Sequence, residues 1–390
     1  MIRIDADHAA TTRVAGEVEA AMRPWLAEGF GNPSSVHTRG EAARDAMESA
    51  RRSVAALLGA RSEDLVFTAS GSEANNLALK GVMGAAPEAR RRLVISAIEH
   101  PSVLETARHL ESRGFALTVV PVGAGGVVDP NTLEAALGPD VALVSVMWVN
   151  NEIGTVQDVA ELARRAHAAG ARFHCDAIQA AGKLPIDAAA LDFDLLSVAA
   201  HKFNGPPGAA ALVVRNRTRL VPLVHGGHQE RSRRAGTENL PALVGFGAAA
   251  ELAARRLAAG EPERVFALGD RLRERLLAGL PEARLNGDAA RRVGSIVNLR
   301  LPGVDGEAVL HELDREGIMV STGSACSAAS PGPSHVLMAL GLTPEEAHAS
   351  VRFSLGEDNR PSDVDTIVEV TPRVVERLRS LSHRGAFEQR

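Results

Sequence analysis

Lys202 is the first residue of this chain whose placement points to chemistry. Leu195 to Ala200 reads as a buried strand, His201 and Lys202 follow it, and Gly205, Pro206, Pro207 and Gly208 then break the chain. A lysine at the end of a buried strand, over a Gly/Pro turn, is an unusual place for a surface charge. The chain has three lysines against forty arginines. Arginine keeps its proton and forms no Schiff base, whereas a desolvated lysine loses its proton readily. Amine chemistry would therefore fall to one of three residues. Lys80 sits in an apolar-periodic helix, where a long side chain snorkels to solvent. Lys183 lies in Gly182-Lys183-Leu184-Pro185, a polar turn. Lys202 alone has the position of a site residue, with an ordinary strand-end charge as the alternative.

Other residues at strand ends suit a small anionic or aromatic ligand. Phe67 to Glu73, FTASGSE, runs from strand into helix through small residues. A helix start presents free N–H groups and a positive dipole end, which suit a phosphate, and Ser72 either caps the helix or donates its hydroxyl. Asp176 ends the strand RFHCD. A buried carboxylate there needs a cation, either an arginine or a protonated ring nitrogen. Gln179, three residues on, reaches the same place. His100 follows the strand LVISAIE as a stacking, proton-transferring or structural group. Asn150 and Asn151 follow VALVSVMWV, with amides suited to an oxyanion or to a turn. Arg352 stands in the apolar strand SVRFS, as a carboxylate clamp or the partner of an internal acid. Cys326 lies among small residues, SACSAASPGP, the setting of a reactive thiol. Cys175 has the periodic apolar neighbours of a core residue. HGGH at 225–228 lacks helical metal-ligand spacing and GAGG at 123–126 reads as a turn.

The elements that must position these residues alternate. Helical periodicity over 14–28 and 38–58 precedes strands at 65–68, 93–97, 116–120, 141–148, 171–176, 195–200 and 209–214, most of them separated by helices. Strands buried on both faces between helices predict a mostly parallel sheet whose ligands bind beyond its carboxyl ends. A long Ala/Leu/Arg region, 240–280, is interrupted at Gly260-Glu261-Pro262, the expected domain boundary. Strands near 295–299 and 351–354 belong to a smaller α/β unit.

Composition closes off other classes. The chain has 390 residues, 45% hydrophobic and 23% charged, a soluble globular balance. A net charge of −5 and twelve aromatics give no basis for direct nucleic-acid binding. The apolar runs are too short to span a bilayer, and the acidic N-terminus gives no secretory signal. Two cysteines form neither a disulfide framework nor a metal cluster and suit a reducing cytoplasm.

Taken together, the motifs resemble the cysteine desulfurases, fold-type I pyridoxal-phosphate enzymes of the class V aminotransferase group. The resemblance runs from DADHAATT at 5–12 to about Leu381. It rests on GNPSSVH at 31–37, VNNEIG at 149–154, HCDAIQ at 174–179, His201-Lys202, RAGT at 234–237, GSAC at 323–326 and RFS at 352–354. It implies a large cofactor domain, residues 15–259, with a mostly parallel seven-stranded sheet. Residues 1–14 and 260–390 would form the smaller domain carrying the cysteine loop, which looks like the longer loop of one branch of the family.

By that resemblance Lys202 carries pyridoxal 5'-phosphate, His100 stacks on its ring, Asp176 pairs with the ring nitrogen and Gln179 bonds the phenolic oxygen. Gly71, Ser72 and His201 hold the phosphate, and Thr237 reaches the phosphate of the neighbouring subunit in a homodimer. Asn151 and Arg352 hold the carboxylate of L-cysteine, and Cys326 accepts the sulfur for delivery to an acceptor protein. Ala199 stands where the family usually has a phosphate-binding Ser, so one phosphate hydrogen bond fewer is expected. Asn204 and Pro207 stand where Tyr and Lys are frequent. The chain stops at Arg390, shorter than relatives whose tail docks an iron–sulfur scaffold. The alternatives are a selenocysteine lyase or another class V enzyme, a non-catalytic relative, and a nucleotide-binding α/β protein. The missing Gly-rich fingerprint argues against the last.

Overall fold

The computed structural model describes residues 3–215, 217–323 and 332–387, with side chains as far as residue 381. From the N-terminus the elements are β1 (Ile4–Asp5), α1 (Gly16–Leu26), α2 (Thr38–Leu57), β2 (Leu65–Thr68), α3 (Gly71–Ala85), β3 (Arg92–Ser96), α4 (Pro101–Ser112) and β4 (Ala116–Val120). Then come α5 (Pro130–Ala136), β5 (Val141–Met147), α6 (Val159–Ala168), β6 (Arg172–Asp176), β7 (Leu195–Ala199), β8 (Ala210–Val214) and a single turn, α7 (Gln229–Ser232). Helices α8 (Leu240–Ala258) and α9 (Glu261–Gly279) lead to β9 (Arg284–Asn286), β10 (Ile296–Arg300), α10 (Gly306–Arg315) and β11 (Ile318–Met319). The described chain closes with α11 (His335–Ala339), α12 (Pro344–His348), β12 (Ser350–Ser354) and α13 (Pro361–Phe387).

The predicted seven-stranded sheet forms in the order β2-β8-β7-β6-β5-β3-β4. Only β8 runs antiparallel to its neighbours β2 and β7. The other pairings are parallel. The carboxyl ends of β2, β3, β5, β6 and β7 therefore share one edge. Strands β5, β6 and β7 are buried almost throughout, and β5 and β7 are mostly apolar, as a sheet covered on both faces requires.

Two helix starts near the site have identifiable causes. Helix α6 starts at Val159, because Val156 bridges Val149 and Asp158 caps the helix through Glu161 N–H. Helix α3 starts at Gly71, because Ser70 caps it through Glu73 N–H at 3.1 Å. That corrects the reading of Ser72 as a capping residue.

A second core gathers Ile4 and Ala6 with residues of α9, β10, α10, β12 and α13. There β12, β10 and β9 pair antiparallel, and β1 lies parallel to β11. The N-terminal segment thus joins this unit and then passes the sheet edge, where Thr12 N–H donates to the His201 carbonyl. Among the described residues no helix is long and apolar enough to cross a membrane.

One buried ion pair anchors the chain beside the sheet edge. The Arg51 guanidinium grips the Glu230 carboxylate through two bonds of 2.8 and 2.7 Å and donates to the Leu65 carbonyl at 3.0 Å. Glu230 also accepts from Phe67 N–H at 2.8 Å. Glu230, Arg231 and Ser232 all have positive φ, 46°, 56° and 63°, a costly run for residues with side chains. The pair holds that turn against β2. Removing the cation leaves a buried carboxylate uncompensated, so Arg51→Met should cost about 3–5 kcal/mol in denaturant unfolding. A loss below about 1 kcal/mol would show that the turn does not depend on it.

Candidate active site

The common carboxyl edge of the sheet opens into a cavity of about 240 Å³. Its walls include Gly71 and Ser72 after β2, His100 after β3, Asn151 after β5, Asp176 and Gln179 at the end of β6, and His201 and Lys202 after β7. Arg352 reaches it from β12 of the smaller unit, and Ala9 and Ala10 from the N-terminal segment. Nine residues singled out from the sequence thus converge on one space.

Asp176 is the buried charge of the site. Its Oδ2 accepts from Asn75 Nδ2 at 2.7 Å and its Oδ1 from Ile178 N–H at 3.0 Å. Among the described residues it has no salt bridge to an arginine. Burial pushes its carboxyl up from the ordinary value, while His100, the Ile178 N–H, Asn75 and Lys202 pull it back. Asn75 Nδ2 also donates to Ser102 Oγ at 2.9 Å, and Ser102 Oγ meets His100 Nδ1 at 2.8 Å. His100 Nδ1 accepts from Ser102 N–H at 3.1 Å, which caps α4. With Nδ1 an acceptor, the hydrogen-bond network assigns the ring proton of neutral His100 to Nε2. Burial lowers the His100 pKa, favouring that neutral form.

Lys202 Nζ donates to the carbonyls of Ala9 and Ala10, both at 2.7 Å. Gln179 Nε2 donates to the same Ala9 carbonyl at 2.8 Å. His201 Nδ1 lies 3.1 Å from Thr11 Oγ1, and burial with the nearby Lys202 and Lys183 lowers its pKa to about 4. His201 is therefore a neutral imidazole at neutral pH. The start of α3 offers the cavity the Ser72 hydroxyl, with the cap supplied by Ser70. A Cβ at Gly71 would run into Ile178 Cδ1 on the cavity wall, so any larger residue there must push the Ile178 side chain aside. Ala199 also lines the cavity and brings no hydroxyl to it.

Arg352 is 1% exposed and donates to Asp7 Oδ1 at 2.6 Å and to the Asn151 carbonyl at 2.9 Å. Its Nε has no partner among the described residues. Of the two sequence readings of Arg352, the structure shows the internal acid partner, Asp7. The neighbouring Asn150 is structural. Its Oδ1 accepts from Glu152 and Ile153 N–H, and its Nδ2 donates to the Ile98 carbonyl. Thr237 is exposed and lies outside this cavity, in a groove with Phe67, Thr68 and Arg234. Cys326 falls outside the described residues. Cys175 is fully buried and its thiol is pushed well up by burial, so it is inert.

The sequence reading missed Asn75, Ser102 and Lys183. Asn75 carried a weak signal, a polar residue one turn after the helix start in an otherwise apolar stripe.

Comparison with known proteins agrees with this arrangement. The family model for aminotransferase class V matches residues 5–367. A cysteine desulfurase of Cereibacter sphaeroides is 45% identical over 390 residues, covering all of both chains. Cysteine desulfurase IscS of Dictyoglomus turgidum is 43% identical over 376 residues, 96% of this chain and 95% of its own. A solved NifS-like protein superposes with a TM-score of 0.89 at 33% identity, covering 97% of this chain and 100% of its own.

Next to His100, Glu99 is buried without solvent contact. Its Oε1 accepts from Met147 N–H at 2.9 Å and from the Ser96 hydroxyl, and its Oε2 has no partner among the described residues. Burial raises its pKa to about 8. The unfolded chain ionises this group near 4.5, so between there and about 8 the folded state holds the extra proton. Stability must then fall as pH rises through that window, by up to about 1.4 kcal/mol per unit. Glu99→Gln should remove this decline in urea unfolding between pH 5 and pH 8. Parallel curves for the two proteins would contradict the assignment.

Proposed function

This chain belongs to the aminotransferase class V family, and within it to the cysteine desulfurases, and on that footing we propose how its own residues carry out the reaction. Cysteine desulfurases are pyridoxal 5'-phosphate enzymes that convert L-cysteine to L-alanine and leave the sulfur as an enzyme persulfide. The observation that carries the reading is that Lys202 and the buried carboxylate of Asp176 line one cavity.

The cavity fits the cofactor. Asp176 is a buried carboxylate bonded only to neutral donors, which suits a protonated ring nitrogen. The start of α3 with Gly71 and Ser72, and neutral His201, suit a phosphate. Gln179 and His100 line the walls between these two ends. When bound, the cofactor supplies an electron sink for the carbon bearing the substrate amine.

The residues divide the remaining work. Arg352 and Asn151 hold the substrate carboxylate, with the guanidinium fixed at the cavity wall by Asp7 and the Asn151 carbonyl. Lys202 Nζ takes the α-proton as general base. His100, neutral and protonated at Nε2, lines the same cavity and is placed to move protons there. Cys326 Sγ, as thiolate, attacks the substrate sulfur. A sulfur–sulfur bond forms, the carbon–sulfur bond breaks, its electron pair stays with carbon, and protonation of that carbon gives alanine. With Cys175 sealed in the core, Cys326 is the remaining thiol of the chain.

The finer parts of the reading are proposed on the family resemblance. Residues 15–259 form the cofactor domain, and 1–14 with 260–390 the smaller domain. Thr237, exposed and away from its own cavity, serves the phosphate site of the second subunit in a homodimer. A separate acceptor protein collects the persulfide sulfur, and the thiol chemistry suits the cytoplasm.

Two variants test the assignment on protein supplied with the cofactor. Lys202→Ala should lose alanine formation from L-cysteine by 1000-fold or more, on the order expected for a lost covalent and proton-transfer group. Cys326→Ala should keep the visible absorption band while forming no protein-bound sulfane sulfur. Alanine formation by Lys202→Ala at the wild-type rate would overturn the reading.

A further inference from the structure

Gln179 is an amide with two ends, and only one can face the cofactor cavity as a donor. Its orientation is set by what lies on either side. Its Nε2 donates to the Ala9 carbonyl at 2.8 Å, and its Oε1 accepts from Lys183 Nζ at 3.2 Å. The reversed amide would set oxygen against the Ala9 carbonyl and an NH2 group against an ammonium. Both contacts are repulsive, so one arrangement is enforced.

We propose that Lys183 is a positioning residue of this active site, whose ammonium fixes the Gln179 amide so that an N–H, not the oxygen, is presented to the cofactor. The inference rests on the reading above that Gln179 faces the phenolic oxygen of pyridoxal phosphate.

The backbone is built to place this amine. Lys183 N–H and Leu184 N–H both donate to the Ala180 carbonyl, at 3.0 and 2.9 Å, closing a tight turn. Gly182 makes that turn at φ +76°, and a Cβ there would lie 2.7 Å from Phe203 Cβ. Only glycine satisfies both demands. The turn returns Lys183 over Gln179, where Nζ also bonds the Gln179 carbonyl at 3.2 Å.

The same amine stands behind Lys202. A small cavity of about 20 Å³, enough for one water molecule, is lined by Lys183, Lys202, His8, Ser295 and Glu357. His8 and Ser295 have side-chain polar atoms there without partners among the described residues. Lys202 also shares the Ala9 carbonyl with Gln179. Lys183, Gln179, Ala9 and Lys202 therefore form one connected chain of polar contacts. The charged and titratable groups around Lys183 are Lys202, His201, His8 and Glu357, and Glu357 in turn lies 3.9 Å from Arg256. Burial lowers the Lys183 pKa to about 8, and Glu357 partly offsets it, so the residue is charged at neutral pH.

The test uses the holoenzyme and reads the pH midpoint of its visible absorption band, without substrate. Lys183→Met and Gln179→Ala each withdraw positive potential from the cavity, so each should raise the midpoint, by about one pH unit. Because Lys183 acts through Gln179, the double variant should match Gln179→Ala alone. Lys183→Arg, which keeps a charge and donors, should stay near the wild-type midpoint. If the Met variant does not fold, Lys183→Gln makes the same neutralisation. A midpoint unmoved in Lys183→Met, even with a lowered melting temperature, overturns the proposal and leaves Lys183 as a brace for its turn. Full additivity in the double variant overturns it as well. A wild-type protein with no visible band after cofactor addition overturns the cofactor reading itself, and the proposal with it.

Discussion

Burying a carboxylate without a cation is the constraint on which the site depends. Asp176 lies at the end of a strand enclosed on both faces, where an unpaired charge is expensive. The chain has forty arginines, and among the described residues none is brought to it. Asn75 and the Ile178 N–H stabilise the ionised form only in part, and burial still pushes the carboxyl up. A ligand that supplies a positive ring nitrogen completes the balance. The same neutral contacts continue through Ser102 to His100, so the orientation of the imidazole depends on how Asp176 is held.

The rest of the fold brings complementary groups to that carboxylate. Parallel strands put five carboxyl ends on one edge, and each delivers a different function to the cavity. The N-terminal segment adds the acceptors. Having packed β1 into the smaller unit, it returns past the sheet, where Ala9 and Ala10 bind the Lys202 amine. Arg352 arrives from the same smaller unit with Asp7 as its counter-ion. The two units are thus joined at the site by the bond from Arg352 to the Asn151 carbonyl and by the hydrogen bonds of the Lys202 amine.

Much of this was legible in the sequence, for physical reasons that differ by residue. Lys202 stood out because lysine is scarce here and because a Gly/Pro turn follows a buried strand. Asp176, His100 and Arg352 stood out as charged or titratable groups attached to apolar runs. Most of the seven strands were readable because burial on both faces leaves apolar runs, whereas β4, at the sheet edge, is mostly exposed or half-buried. Helix starts were less readable, since capping by Ser70 or Asp158 depends on a backbone bond that periodicity does not report. Asn75 and Ser102 were hidden because their importance lies in contacts across 27 and 101 residues of chain. Lys183 looked like a turn residue, and the left-handed glycine before it is what directs it inward. The role of Thr237 came from resemblance alone, whereas Cys326 was first marked as a reactive thiol by its small neighbours and given its sulfur-accepting role by resemblance.

The most direct measurement is to reduce the cofactor-loaded protein with borohydride and map the pyridoxyl group onto its peptides. With only three lysines the outcome is unambiguous. The account predicts a single adduct on Lys202, in the peptide containing HKFNGPP. An adduct on Lys80 or Lys183 instead, or none at all, would contradict it.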